Sequence, residues 1–85
     1  MTIKQIYTSI DELIEILKGS EYQSLSTILE HRMYKVSWTS GYEMLEEITS
    51  VLRRFISEHE NTLNESVAKK INIIIEDIQS FSVNR

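Results

Sequence analysis

The chain has no cysteine, no proline, two glycines and one tryptophan in 85 residues. Without thiols, disulfides and thiolate metal sites are excluded, so stability has to come from packing. Without proline, no helix is forced to kink or stop in its interior. Positive charge is also scarce. Nine Lys and Arg stand against thirteen Asp and Glu, a net charge of −4. The basic residues are scattered as Arg32 with Lys35, Arg53 with Arg54, and Lys69 with Lys70. Phosphate-binding surfaces need clustered cations, so nucleic acid is a disfavoured partner. No apolar run approaches the ~20 residues that span a bilayer, and no membrane partner is expected. The opening MTIKQIYTSIDELIEILK lacks a basic region followed by an uninterrupted apolar stretch, so it does not read as a signal peptide. Together these absences point to a cytoplasmic protein. The abundance of isoleucine beside a lone alanine, Ala68, points to a bacterial or phage source.

What is present is enough for one small core. Hydrophobic residues make up 41% of the chain, too many for a disordered acidic tail. A chain of this length forms a single domain, residues 1–85, near the size at which oligomerisation becomes a useful source of stability.

Four segments carry apolar residues at helical three- and four-residue steps. Ile3, Ile6, Ile10, Leu13, Ile14 and Leu17 form the first stripe, with Gly19 placed to end that helix. Its start is either Thr2, with Gln5 three residues on, or Ser9, where Ser9 and Glu12 match a capping box. The unbroken stripe favours the longer helix. Tyr22, Leu25, Leu29, Met33 and Val36 form the second and weakest stripe, with Ile28 at its margin. The third runs from Gly41 to about His59 and carries Met44, Leu45, Ile48, Val51, Leu52 and Phe55. The fourth runs from Leu63 to about Phe81 and carries Val67, Ile71, Ile74, Ile75 and Ile78. Thr62 with Glu65 matches another capping box at its start. Short connections make consecutive helices antiparallel neighbours. The expected fold is therefore all-α, an up-down bundle of four helices. An α+β alternative pairs short strands at 3–7 and 34–38, because Tyr34, Val36 and Trp38 also alternate.

The stretch VSWTSGYEMLEE holds the only tryptophan and one of the two glycines. Ser40 and Glu43 have capping-box spacing, which accounts for much of it as a helix start. The segments Tyr7–Leu17 and Trp38–Ile48 share the pattern aromatic-Thr-Ser-x-x-Glu, the same capping solution met twice. Trp38 has two readings. It either folds over the bundle end as a lid, or acts with Tyr34 and Tyr42 as an interface anchor. Ile16 and Ile73 lie off their stripes and are candidate contact residues.

Catalytic and metal signatures are weak. His31 falls on a polar face, and His59 continues the Leu52–Phe55 stripe. Glu-x-x-His does not occur, the Glu-rich third helix start would repel phosphates, and no Gly-rich phosphate loop is present. No cofactor or metal is expected. The sequence thus reads as a non-enzymatic, homodimeric protein–protein interaction module that occludes a partner's surface, akin in size and charge to immunity proteins, antitoxins or regulatory adaptors. The alternative is a nucleic-acid-associated regulator using Arg32, Lys35 and the nearby aromatics.

Overall fold

A computed structural model describes residues 2–83. These form α1 (Ile3–Leu17), α2 (Gln23–Tyr34), α3 (Gly41–Glu58) and α4 (Glu65–Val83), with no strand among the described residues. Each helix has two principal neighbours: α1 and α3 both pack on α2 and on α4. The fold is the all-α, four-helix bundle, and residues 3–7 are helical rather than extended. Residues 35–40 form the α2–α3 connection, not a strand.

The stripes meet as their spacing requires. Ile6, Ile10, Leu13 and Leu17 of α1 face Leu25 and Leu29 of α2, Leu45, Ile48 and Leu52 of α3, and Ile71, Ile74 and Ile78 of α4 in one buried core. Each such side chain contributes roughly 1.5–3 kcal/mol when fully withdrawn from water. Among the described residues one buried hydroxyl, Thr49 Oγ1 on α3, has no hydrogen-bond partner, which costs about 1–3 kcal/mol.

The favoured start of α1 at Thr2 is the observed one, and two candidate caps, Ser9 with Glu12 and Thr62 with Glu65, are not formed. Thr2 and Gln5 form a reciprocal capping box for α1: the Thr2 hydroxyl accepts from the Gln5 N–H at 3.2 Å, and the Gln5 side chain accepts from the Thr2 N–H at 2.7 Å. Ser9 and Glu12 are therefore not a cap. Ser9 lies in the helix interior, where its hydroxyl donates to the Gln5 carbonyl at 3.1 Å. For α4, the expected Thr62–Glu65 cap is replaced by Asn64, whose Oδ1 accepts from the N–H groups of Ser66 and Val67 at 2.9 and 3.3 Å. Asparagine is as strong a cap as serine or threonine, and it stands immediately before Glu65. At α3, the Ser40 hydroxyl accepts from the Glu43 N–H at 3.2 Å.

Both glycines have positional reasons. Lys18 (φ −62°, ψ 133°) and Gly19 (φ 78°) make the central pair of a type II turn, closed by the Ser20 N–H on the Leu17 carbonyl at 3.1 Å. Gly41 begins α3 where it presses on α1: a Cβ there would lie 2.8 Å from Ile3 Cδ1 and 2.9 Å from Tyr7 Oη.

Candidate functional site

A concavity of about 390 Å³ runs between α2 and α3. It exists because α2 is the least amphipathic helix and buries little of itself, chiefly Leu25, Ser26 and Leu29. Ile28 is left 39% exposed at the cleft mouth, although it is large and apolar. Leu25 and Tyr22 from the α2 side, with Val51 and Phe55 from α3, make the floor. Charges of both signs form the rim: Glu21, Arg32, Glu47, Arg54 and Glu58. At one end Arg32 Nε pairs with Glu47 Oε1 at 3.5 Å and ties the two helices together.

The other end is closed by an aromatic cluster. His59 stacks on Phe55 with ring centroids 4.3 Å apart, and Tyr22 meets Phe55 edge-on at 5.5 Å. His59 Nδ1 faces the Phe55 carbonyl at 3.0 Å, so that nitrogen carries the proton and donates. The Tyr22 hydroxyl donates to the Thr62 carbonyl at 3.3 Å and accepts from the Asn64 N–H at 3.0 Å. One residue at the α1–α2 turn thereby fixes the start of α4.

The aromatic residues singled out by the sequence do not converge on a single site. Trp38 is half-buried against the core, and its indole N–H donates to the Arg32 carbonyl at 2.6 Å. It therefore satisfies one of the orphan carbonyls at the end of α2. Tyr42 stacks on Phe81 of α4 with centroids 5.4 Å apart. Tyr34 is 59% exposed and reaches back to α1, where its hydroxyl donates to the Asp11 carboxylate. Ile16 and Ile73 do come together. They are 44% and 47% exposed and line one shallow groove of about 150 Å³ between α1 and α4.

Of the basic pair, Arg32 is engaged by Glu47, and its Nη1 lies 2.8 Å from His31 Nδ1. The α2–α3 cleft as a unit was not anticipated from sequence. The available signal was Ile28 at the margin of a weak stripe, and it lines the cleft together with Val51 and Phe55 of α3.

The Tyr34 contact has a pH signature. Its hydrogen bond to Asp11, with partial burial and the Asp11 and Glu30 charges, pushes the phenol from 10.0 up to about 12. The neutral phenol is the bonded form. The contact's contribution is thus complete below pH 10.0 and is lost as pH rises through about 12. An ultraviolet difference titration should show one tyrosine ionising late, and Asp11→Asn should return it to the ordinary range. A wild-type chain with no late tyrosine would show that the Tyr34–Asp11 bond does not persist in solution.

Among the described residues no helix is long and apolar enough to cross a membrane, and no three His, Asp or Glu side chains are grouped to hold a metal ion. No protein-family model, curated protein or solved structure significantly matches this chain.

Proposed function

We propose that this chain is a non-enzymatic protein–protein interaction module, homodimeric, that acts by occluding a partner's surface through the α2–α3 cleft. The observation that carries this reading is Ile28. It stands exposed at the mouth of a cleft with an apolar floor and a rim of both charge signs. A protein segment that inserts a large apolar side chain between charged neighbours fits this chemistry. An apolar centre with a polar rim is the usual build of a protein interface. Some of the polar groups that line the cleft are committed to structure: Arg32 to Glu47, and His59 Nδ1 to the Phe55 carbonyl.

The test begins with affinity capture, followed by titration of the purified partner against wild type and Ile28→Glu. Placing a charge at the centre of the contact should weaken binding at least about thirtyfold, the equivalent of a 2 kcal/mol hot spot. Circular dichroism should stay unchanged, because Ile28 is outside the core. Unaltered affinity in the Ile28→Glu chain would defeat the reading. Capture of nucleic acid, with affinity falling steeply in salt, would replace it by the regulator that uses Arg32 and Lys35.

A further inference from the structure

We infer that the groove between α3 and α4 binds a small organic monocarboxylate, its carboxylate on Arg53 and the hydroxyl or amino groups of its body towards Glu46. This goes beyond the protein-partner reading and uses a different side of α3 from the α2–α3 cleft.

The groove follows from helical spacing. Glu46, Thr49, Ser50 and Arg53 recur at three- and four-residue intervals, so they share one face of α3. Ile78, Gln79 and Ser82 of α4 form the opposite wall, and the space between measures about 640 Å³. That volume lies within the roughly 300–1,000 Å³ of small-molecule sites. Tyr42 near the start of α3 stacks on Phe81 near the end of α4, so the two helices run antiparallel. Ser82 and Gln79 thus stand beside the Glu46 end of the groove, with Arg53 at the other.

Two observations single this groove out. The first is Thr49. The hydroxyls of Thr8, Ser9, Ser26 and Thr27 each donate to a carbonyl of their own helix. Thr49 does not, although it is only 9% exposed, and its Oγ1 is buried without a partner among the described residues. A buried hydroxyl left unpaired is costly, and a ligand group bonded to it removes that cost. The second is the state of its neighbours. Arg53, Ser50, Gln79 and Ser82 make no hydrogen bond or ion pair with another described residue. Arg32, by contrast, is held by Glu47.

The chemistry of these groups defines the ligand. A planar guanidinium presents paired N–H donors that match a carboxylate. The three hydroxyls and the Gln79 amide both donate and accept, so they suit hydroxyl or amino groups on the ligand body. Glu46 has a contact of its own, and a carboxylate offers about four acceptor sites, so it can also receive a donor from the ligand. Its charge opposes a second negative group, which selects a monoanion over phosphate. Hydroxy acids and amino acids share this pattern.

Titration of the isotope-labelled chain, followed by amide shifts, tests the site. Gluconate and L-serine probe the two sources, and acetate, glucose and inorganic phosphate are the controls. The better of the two probes should bind with a Kd of about 1 mM or tighter, shift the amides of Thr49, Ser50, Arg53 and Gln79, and name the source. Each control should bind about tenfold more weakly. Arg53→Gln should weaken the better probe about tenfold, and the exposed position lets the variant fold. Thr49→Val keeps the shape, so it should raise the Tm while weakening binding about threefold. No saturable shift with either probe at about 10 mM would overturn the site. Phosphate or acetate binding as tightly as the probes would also overturn it, leaving Arg53 an ordinary surface cation. Undiminished binding in both variants would do the same.

Discussion

Tyr22→Ala is expected to lower stability by about 3–5 kcal/mol, a large part of what a domain of this size possesses. The ring is 8% exposed and packs edge-on against Phe55. Its hydroxyl joins the α1–α2 turn to the α3–α4 turn through Thr62 and Asn64. Two smaller changes separate these contributions. Tyr22→Phe keeps the ring and loses both hydroxyl bonds, and should cost about 1–2 kcal/mol. Phe55→Leu keeps volume near the cleft floor and loses the edge-on and stacked contacts, at about 0.5–1.5 kcal/mol. Thermal unfolding followed by circular dichroism measures all three, and Tyr22→Ala should lower the Tm by on the order of 20 °C. A Tyr22→Ala chain that unfolds within a few degrees of wild type would mean that the two turns are not held together by this residue.

Trp38→Ala should cost about 2–4 kcal/mol, somewhat below the value for a fully buried aromatic because Trp38 is only partly enclosed. The loss has two parts: packing against the core, and the 2.6 Å bond from the indole N–H to the Arg32 carbonyl. Trp38→Phe should recover most of the first part and none of the second. Iodide quenching of this single tryptophan supplies an independent check. As a lid on its own bundle, Trp38 should show the same partial accessibility from high dilution to high concentration. Strong quenching at high dilution that vanishes on association would make Trp38 an interface residue and remove it from the stability account.

The bundle was legible because its core is periodic. The stripes from Ile6 to Leu17, Met44 to Leu52 and Ile71 to Ile78 are the helix faces that became buried. The caps were less legible, for a local reason. Tyr7–Leu17 and Trp38–Ile48 look alike in sequence, yet only Ser40 caps a helix. Thr2 and Gln5 begin α1 earlier, which leaves Ser9 in its interior with a hydroxyl turned to the Gln5 carbonyl. At α4 the Thr62–Glu65 spacing is genuine, but Asn64 is one residue from the helix and offers a better placed acceptor.

The candidate site was harder to read, because which side chains meet across helices is fixed by packing and not by spacing along one helix. Nothing within α2 alone says that Ile28 will line one cleft with Val51 and Phe55. Nothing near Trp38 says that its indole will be spent on the Arg32 carbonyl. Tyr34, Trp38 and Tyr42 are close in sequence, but they turn to Asp11, Arg32 and Phe81 respectively. Ile16 and Ile73 were each visible as residues off a stripe, and the α1–α4 packing makes them one patch.

The central functional claim is that the partner is met at the α2–α3 cleft and not at the aromatic turn. Site-specific photo-crosslinking distinguishes the two most directly, with the reactive side chain placed at Ile28 in one chain and at Tyr34 in another. Both positions are exposed, so both chains should fold and both probes should be accessible. The expected result is a discrete adduct with one protein from position 28, mapped to a single segment of that protein, and little or none from position 34. An adduct from position 34 with none from position 28 would contradict the account and return the contact surface to the aromatic residues.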